Sequence, residues 1–169
     1  QSDITKGKAE QLETDLTAIE RKLELLGMSR AVGAILRERQ AQLPDKRELE
    51  EKISANEDDI RASSLRQVEL EDERGLMRSR TEYVKQLLGQ VDPQVAEQIR
   101  EDINDLVRSR RDLLRKAVDL ENTHVQKLGD FDFTLSRYAG AVEAYRDFIS
   151  ERLLWIPSRD KFGIFHSEE

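Results

Sequence analysis

The chain has 169 residues, 37% charged and 37% hydrophobic, with three prolines, eight glycines and only 5% aromatics. So few helix breakers and so thin an aromatic content suit long charged helices with narrow apolar seams better than a thick sandwich or α/β core. The net charge of −7 argues against nucleic acid as the main partner, and the absence of cysteine rules out disulfides and thiolate metal sites.

No apolar run of about 18 residues is present to span a membrane. No signal peptide is evident either, as expected of an interior piece of a longer protein. A first helix is predicted from about Asp3 to Leu26. There Leu12, Leu16, Ile19, Leu23 and Leu26 alternate steps of four and three, the rhythm of a coiled-coil seam. Gly27 interrupts it, and Ser29 is placed to cap a second helix over roughly Arg30–Gln42, with Val32, Ile35, Leu36 and Leu43 on one side. After Pro44, Asp45 and Glu48 make a start close to a capping box for a third helix, Lys46 to Leu88. Its seam reads Leu49, Ile53, Ile60, Leu70, Met77, Val84 and Leu88, with polar gaps at Asn56, Ser63 and Gln67. Apolar packing is therefore expected to be weakest in the middle of this helix.

Gly89 closes the third helix and Asp92-Pro93 opens a fourth; Asp92 is a good N-cap, and proline at the first helical position loses no hydrogen bond. This helix is predicted to reach Leu154, on the order of 90 Å at ~1.5 Å per residue. Its first half carries Ile99, Ile103, Leu106, Leu113, Ala117 and Leu120, and its second half Leu128, Phe131, Leu135, Tyr138, Val142, Tyr145 and Ile149. Joining the halves requires one extra residue near His124, a skip that moves the seam around the helix. Gly129 and Gly140 are candidate bends, and Pro157 ends the helix. The expected fold is all-α: an elongated antiparallel helical hairpin or coiled-coil bundle with one very long C-terminal helix. The expected division is a helical domain over 1–157 and a frayed tail over 158–169.

The short link Gly89–Asp92 folds the third and fourth helices back on each other. Pairing centred near Val91 sets Glu69, Glu71, Asp72 and Glu73 beside Arg108, Arg110, Arg111 and Arg115. Flanking charges of this kind set register more than stability, since exposed pairs contribute ~0–1 kcal/mol each. A second reading stays open, in which the arginine run binds an anionic partner such as lipid headgroups or cell-wall polymer.

The two histidines, His124 and His166, are far apart, and His124 has Leu128 rather than a ligand at i+4. It reads as a packed or solvated helix histidine rather than a metal ligand. Nothing resembles a nucleophile with its base and orienting group, and no Gly-rich phosphate loop occurs. The expectation is no enzyme, no metal and no cofactor. Eight of the nine aromatics follow Asp130. They suit either a thicker helical core at that end or, for Leu153-Leu154-Trp155-Ile156-Pro157, a membrane–water interface where a tryptophan ring is buried and its N–H stays wet.

The stretch Tyr145-Arg-Asp-Phe-Ile-Ser-Glu-Arg-Leu-Leu-Trp-Ile-Pro-Ser158 resembles the segment before the first inner-membrane helices of the large MscS-like mechanosensitive channels of Gram-negative bacteria, the MscK (KefA) type. Val32-Gly-Ala-Ile-Leu-Arg-Glu-Arg-Gln-Ala-Gln-Leu-Pro-Asp45 and Leu70-Glu-Asp-Glu-Arg74 resemble the family in the same order, so the likeness covers nearly the whole chain. After Pro157 the chain departs from it, with Arg159-Asp-Lys-Phe-Gly-Ile-Phe in place of a proline-rich turn. The resemblance implies a periplasmic helical region, with a juxtamembrane tail, fused to inner-membrane and pore domains that assemble as a heptamer and open under tension. It implies that Tyr145, Phe148, Leu153, Leu154, Trp155 and Pro157 couple this region to the membrane part. A helical-hairpin adaptor or coiled-coil scaffold of an envelope assembly is the alternative.

Overall fold

The computed structural model describes residues 2–27 and 29–156. They form five α-helices and, among the described residues, no strand: α1 (Ser2–Leu26), α2 (Arg30–Gln42), α3 (Lys46–Leu76), α4 (Arg80–Leu88) and α5 (Pro93–Leu154). The predicted punctuation acts through the expected chemistry. Gly27 takes a left-handed φ of 63°, which a residue with a Cβ adopts only with strain. Ser29 Oγ accepts the Val32 N–H. Asp45 and Asp92 each accept the backbone N–H two residues on, at 2.9 Å. α5 passes Gly129 and Gly140 without interruption.

The third predicted helix is two helices. Residues 77–79 leave the helix between α3 and α4. The Met77 and Arg78 N–H groups bond back three residues, to Arg74 and Gly75 carbonyls, which tightens and ends the α3 ladder. Ser79 then caps α4 by accepting the Glu82 N–H. Met77 is buried at the break, so its apolar side chain anchors the non-helical turn.

The described residues divide into two compact units, one comprising those up to Ser54 together with 131–156, the other Ala55–Asp130. In the first, Ile19, Val32, Leu36, Tyr145, Ile149 and Ile156 form the core. Complete burial of a side chain such as Leu36 or Ile149 contributes about 1.5–3 kcal/mol. Gly33 permits a close approach, because a Cβ there would lie 3.1 Å from the Ile156 side chain and push it aside. Arg137 grips Glu13 with both Nε and Nη2, Lys46 Nζ meets Glu143 at 2.9 Å, and Arg146 donates to the Pro44 carbonyl, fixing α1 and the α2–α3 turn on α5. Ile35 and Leu26, both expected on seams, are exposed.

The second unit is an antiparallel packing of α3 and α4 on the N-terminal half of α5, around Met77, Val84, Leu88, Ala96, Val107 and Leu114. Here the expected seam is displaced by one residue. Val107, Leu114 and Val118 are buried, while Leu106, Leu113 and Leu120 face outward; Leu113 is 65% exposed and Leu114 7%. The inner track continues through the half-buried Glu121, Val125 and Leu128 to Leu135, keeping the four-three rhythm past His124. The skip predicted near His124 does not exist. It came from following the outer leucines instead of the inner valines.

Candidate functional site

Of the six residues expected to couple to a membrane, Tyr145 is buried, Phe148 and Leu153 are half-buried against the core of the first unit, and Pro157 lies outside the described residues. Leu154 and Trp155 close α5 and point outward; Trp155 is 76% exposed. The change is abrupt because successive residues of a helix are 100° apart, so Leu153 inward puts Leu154 outward. Trp155 and Ile156 are held by i→i+3 bonds to Arg152 and Leu153. The Arg152 guanidinium stacks over the Phe148 ring at 5.1 Å, a cation–π contact, on the wall of an open hollow that also takes in Glu20, Leu23 and Glu24. The Tyr145 hydroxyl is buried without a hydrogen-bond partner among the described residues, and burial pushes its pKa up.

The charge clusters meet less completely than their density in the sequence promises. Arg110 forms an ion pair with Glu73, one residue from the predicted register. Arg108 instead takes Asp105 at 3.3 Å and Arg115 takes Asp112 at 3.6 Å, both within α5. Glu71 accepts from Gln67 within α3. Glu69, Asp72 and Arg111 join no pair across the hairpin among the described residues.

The polar gaps in the α3 seam are filled by a polar layer that the sequence did not assemble. Asn56 Nδ2 donates to the Leu128 carbonyl at 3.2 Å. Ser63 Oγ lies 3.0 Å from His124 Nδ1 and accepts from Arg66, whose Nε donates to Glu121 Oε1 at 3.1 Å. The hydrogen bond from Arg66 holds the Glu121 carboxyl below the usual range, against the opposing effect of burial. Serine, histidine and carboxylate come together here, but Ser63 and Glu121 Oε2 both face the same ring nitrogen of His124, at 3.0 and 3.6 Å. A nucleophilic relay needs them on opposite nitrogens, so this layer has the geometry of a seam rather than of a triad. Among the described residues, no group of three or more carboxylate, histidine or cysteine side chains is arranged to hold a metal, and no helix is long and apolar enough to cross a membrane.

Only an antiparallel register could have revealed the polar layer in advance, and its signal was the run of polar gaps at Asn56, Ser63 and Gln67. The chain matches no protein-family model, and neither the curated proteins nor the solved structures yield a match.

Proposed function

We propose that the chain is a non-catalytic periplasmic helical domain of an MscS-like mechanosensitive channel, sitting against the inner membrane and biasing the pore of a homo-oligomer, a heptamer by the resemblance. The observation that carries this reading is the exposed Leu154-Trp155 pair at the end of α5, within the Leu-Leu-Trp-Ile stretch that resembles the family's membrane junction. An exposed leucine and tryptophan side by side suit a membrane–water boundary better than open solvent. Tyr145, Phe148 and Leu153 pack into the cluster that holds α1 and α2, so a displacement of the Trp155 end is passed to those helices. Such a domain biases opening only to the extent that its contacts differ between closed and open states.

The test is Trp155→Ala in the channel that carries this chain. The tension for half-maximal opening in patch clamp should shift, with unit conductance unchanged because the pore lies elsewhere. As the chain's single tryptophan, Trp155 should also report a blue-shifted emission when the isolated chain meets lipid vesicles. An unchanged threshold together with unshifted emission would reduce Trp155 to a surface residue. That result would favour the second reading, a hairpin adaptor or scaffold in an envelope assembly, which the antiparallel packing of α3 on α5 also suits.

A further inference from the structure

Of the arginine run of α5, Arg110 is the member that pairs across the hairpin among the described residues. At the α3–α4 break, Arg74, Arg80, Arg108, Arg111 and Arg115 line one open hollow of about 290 Å³, with Asp112 as the only acidic residue on its wall among the described residues. Asp112 is engaged by Arg115, and Arg108 by Asp105. Arg74, Arg80 and Arg111 have no carboxylate partner among the described residues. Five guanidinium groups around one hollow repel each other, and this happens in a chain whose net charge is −7. Acidic residues for neutralising them are plentiful, and Glu69 and Asp72 stand only a few residues away in α3 without being used.

The break itself builds the hollow. A continuous helix over 46–88 would carry Arg74 and Arg80 along one straight ladder. Ending α3 at Leu76 and restarting at Arg80 places the first residue of α4 on the same wall as the last turn of α3. Guanidinium forks match the oxygens of a phosphate group bidentately, and several converging forks select an anion bearing more than one charge.

We propose that this hollow is a binding site for a phosphomonoester or diphosphate group, with Arg80 and Arg111 as its principal ligands and Arg74 beside them. The group is carried either by a small soluble phosphate or by a phosphorylated lipid headgroup; both present the same oxygens.

The experiment uses the full chain and two probes. Inorganic pyrophosphate is titrated by calorimetry, and mixed phosphatidylcholine–phosphatidic acid vesicles are tested by co-sedimentation against phosphatidylcholine alone. Binding that weakens with added salt is expected, with a loss of about tenfold per arginine in Arg80→Ala and Arg111→Ala. Arg100→Gln, which removes an arginine paired within α5 to Glu97, should bind as the parent does. Pyrophosphate binding without vesicle binding identifies a soluble phosphate, and vesicle binding alone identifies a headgroup; either supports the site. Arg80→Lys with Arg111→Lys keeps the charge and removes the forks, so a loss of affinity in that folded variant supports it even if the alanine variants fail to fold. No binding of either probe, unchanged affinity in the arginine variants, or equally tight binding of polyglutamate would overturn it.

Discussion

Glu121 shows how one residue can be both a seam position and a charge. It occupies the inner track of α5, where an apolar residue is expected, and Arg66 of α3 donates to one of its oxygens. That bond lowers its carboxyl pKa in the fold relative to the ordinary value of 4.5. A carboxyl so shifted adds stability that is fully present above its unfolded pKa and lost as pH falls through the folded one. Lowering the pH from neutral to well below 4.5 should therefore destabilise the parent more than Glu121→Gln, and their thermal midpoints should converge. Parallel curves across that range would mean that the Arg66–Glu121 bond adds nothing to the fold. Glu143 is lowered in the same direction by Lys46, so a Glu143→Gln control separates the two.

At the level of the helix, α5 carries two apolar tracks one residue apart. Leu106, Leu113 and Leu120 recur every seven residues, and so do Val107 and Leu114. Periodicity alone favours the leucines, which are larger and keep the rhythm from Ile99 and Ile103. Packing on α3 and α4 selects the other track, because it brings Glu121 within reach of Arg66 and leaves Leu128 with its carbonyl to Asn56. Leu114→Ala should cost about 3 kcal/mol in urea unfolding, as a buried leucine truncation does. Leu113→Ala, one residue away, should stay within about 0.5 kcal/mol of the parent. Equal losses would return the seam to the leucines. The sequence revealed the seven-residue apolar repeat of α5; it did not reveal which of two adjacent tracks is inside, since that depends on a partner helix distant in the chain.

For the molecule as a whole, the two units each own a core. The cluster built on Met77, Val84, Leu88, Ala96, Val107 and Leu114 lies wholly inside residues 55–130. Its two sides are joined by the short link between α4 and α5, so its contacts are largely local and need little loop closure. The segment 55–130 alone should therefore be helical and melt cooperatively by circular dichroism. A broad, non-cooperative melt would show that this core requires the residues outside it. The other core draws on both ends of the chain, Ile19 and Val32 with Tyr145 and Ile149, and no single contiguous piece can be expected to reproduce it.

Local chemistry was enough to place the glycine at the end of α1, the Ser29 and Asp45 caps and the Asp92-Pro93 start, while the passage of α5 through Gly129 and Gly140 came only with the structure. Each of the local signals depends on residues within a turn of one another: a φ only glycine adopts freely, or a side-chain oxygen that reaches the next free N–H. Gly75 and Ser79 were equally visible, yet a continuous third helix was expected. Propensity differences at such positions amount to about 1 kcal/mol, and burying Met77 at the break is worth more. The sequence likewise contained every member of the polar layer and of the arginine hollow but no indication that Ser63 meets His124, or that Arg80 and Arg111 line one hollow. Those meetings join residues tens of positions apart, and only the antiparallel packing of α3 and α4 on α5 decides which of them face each other.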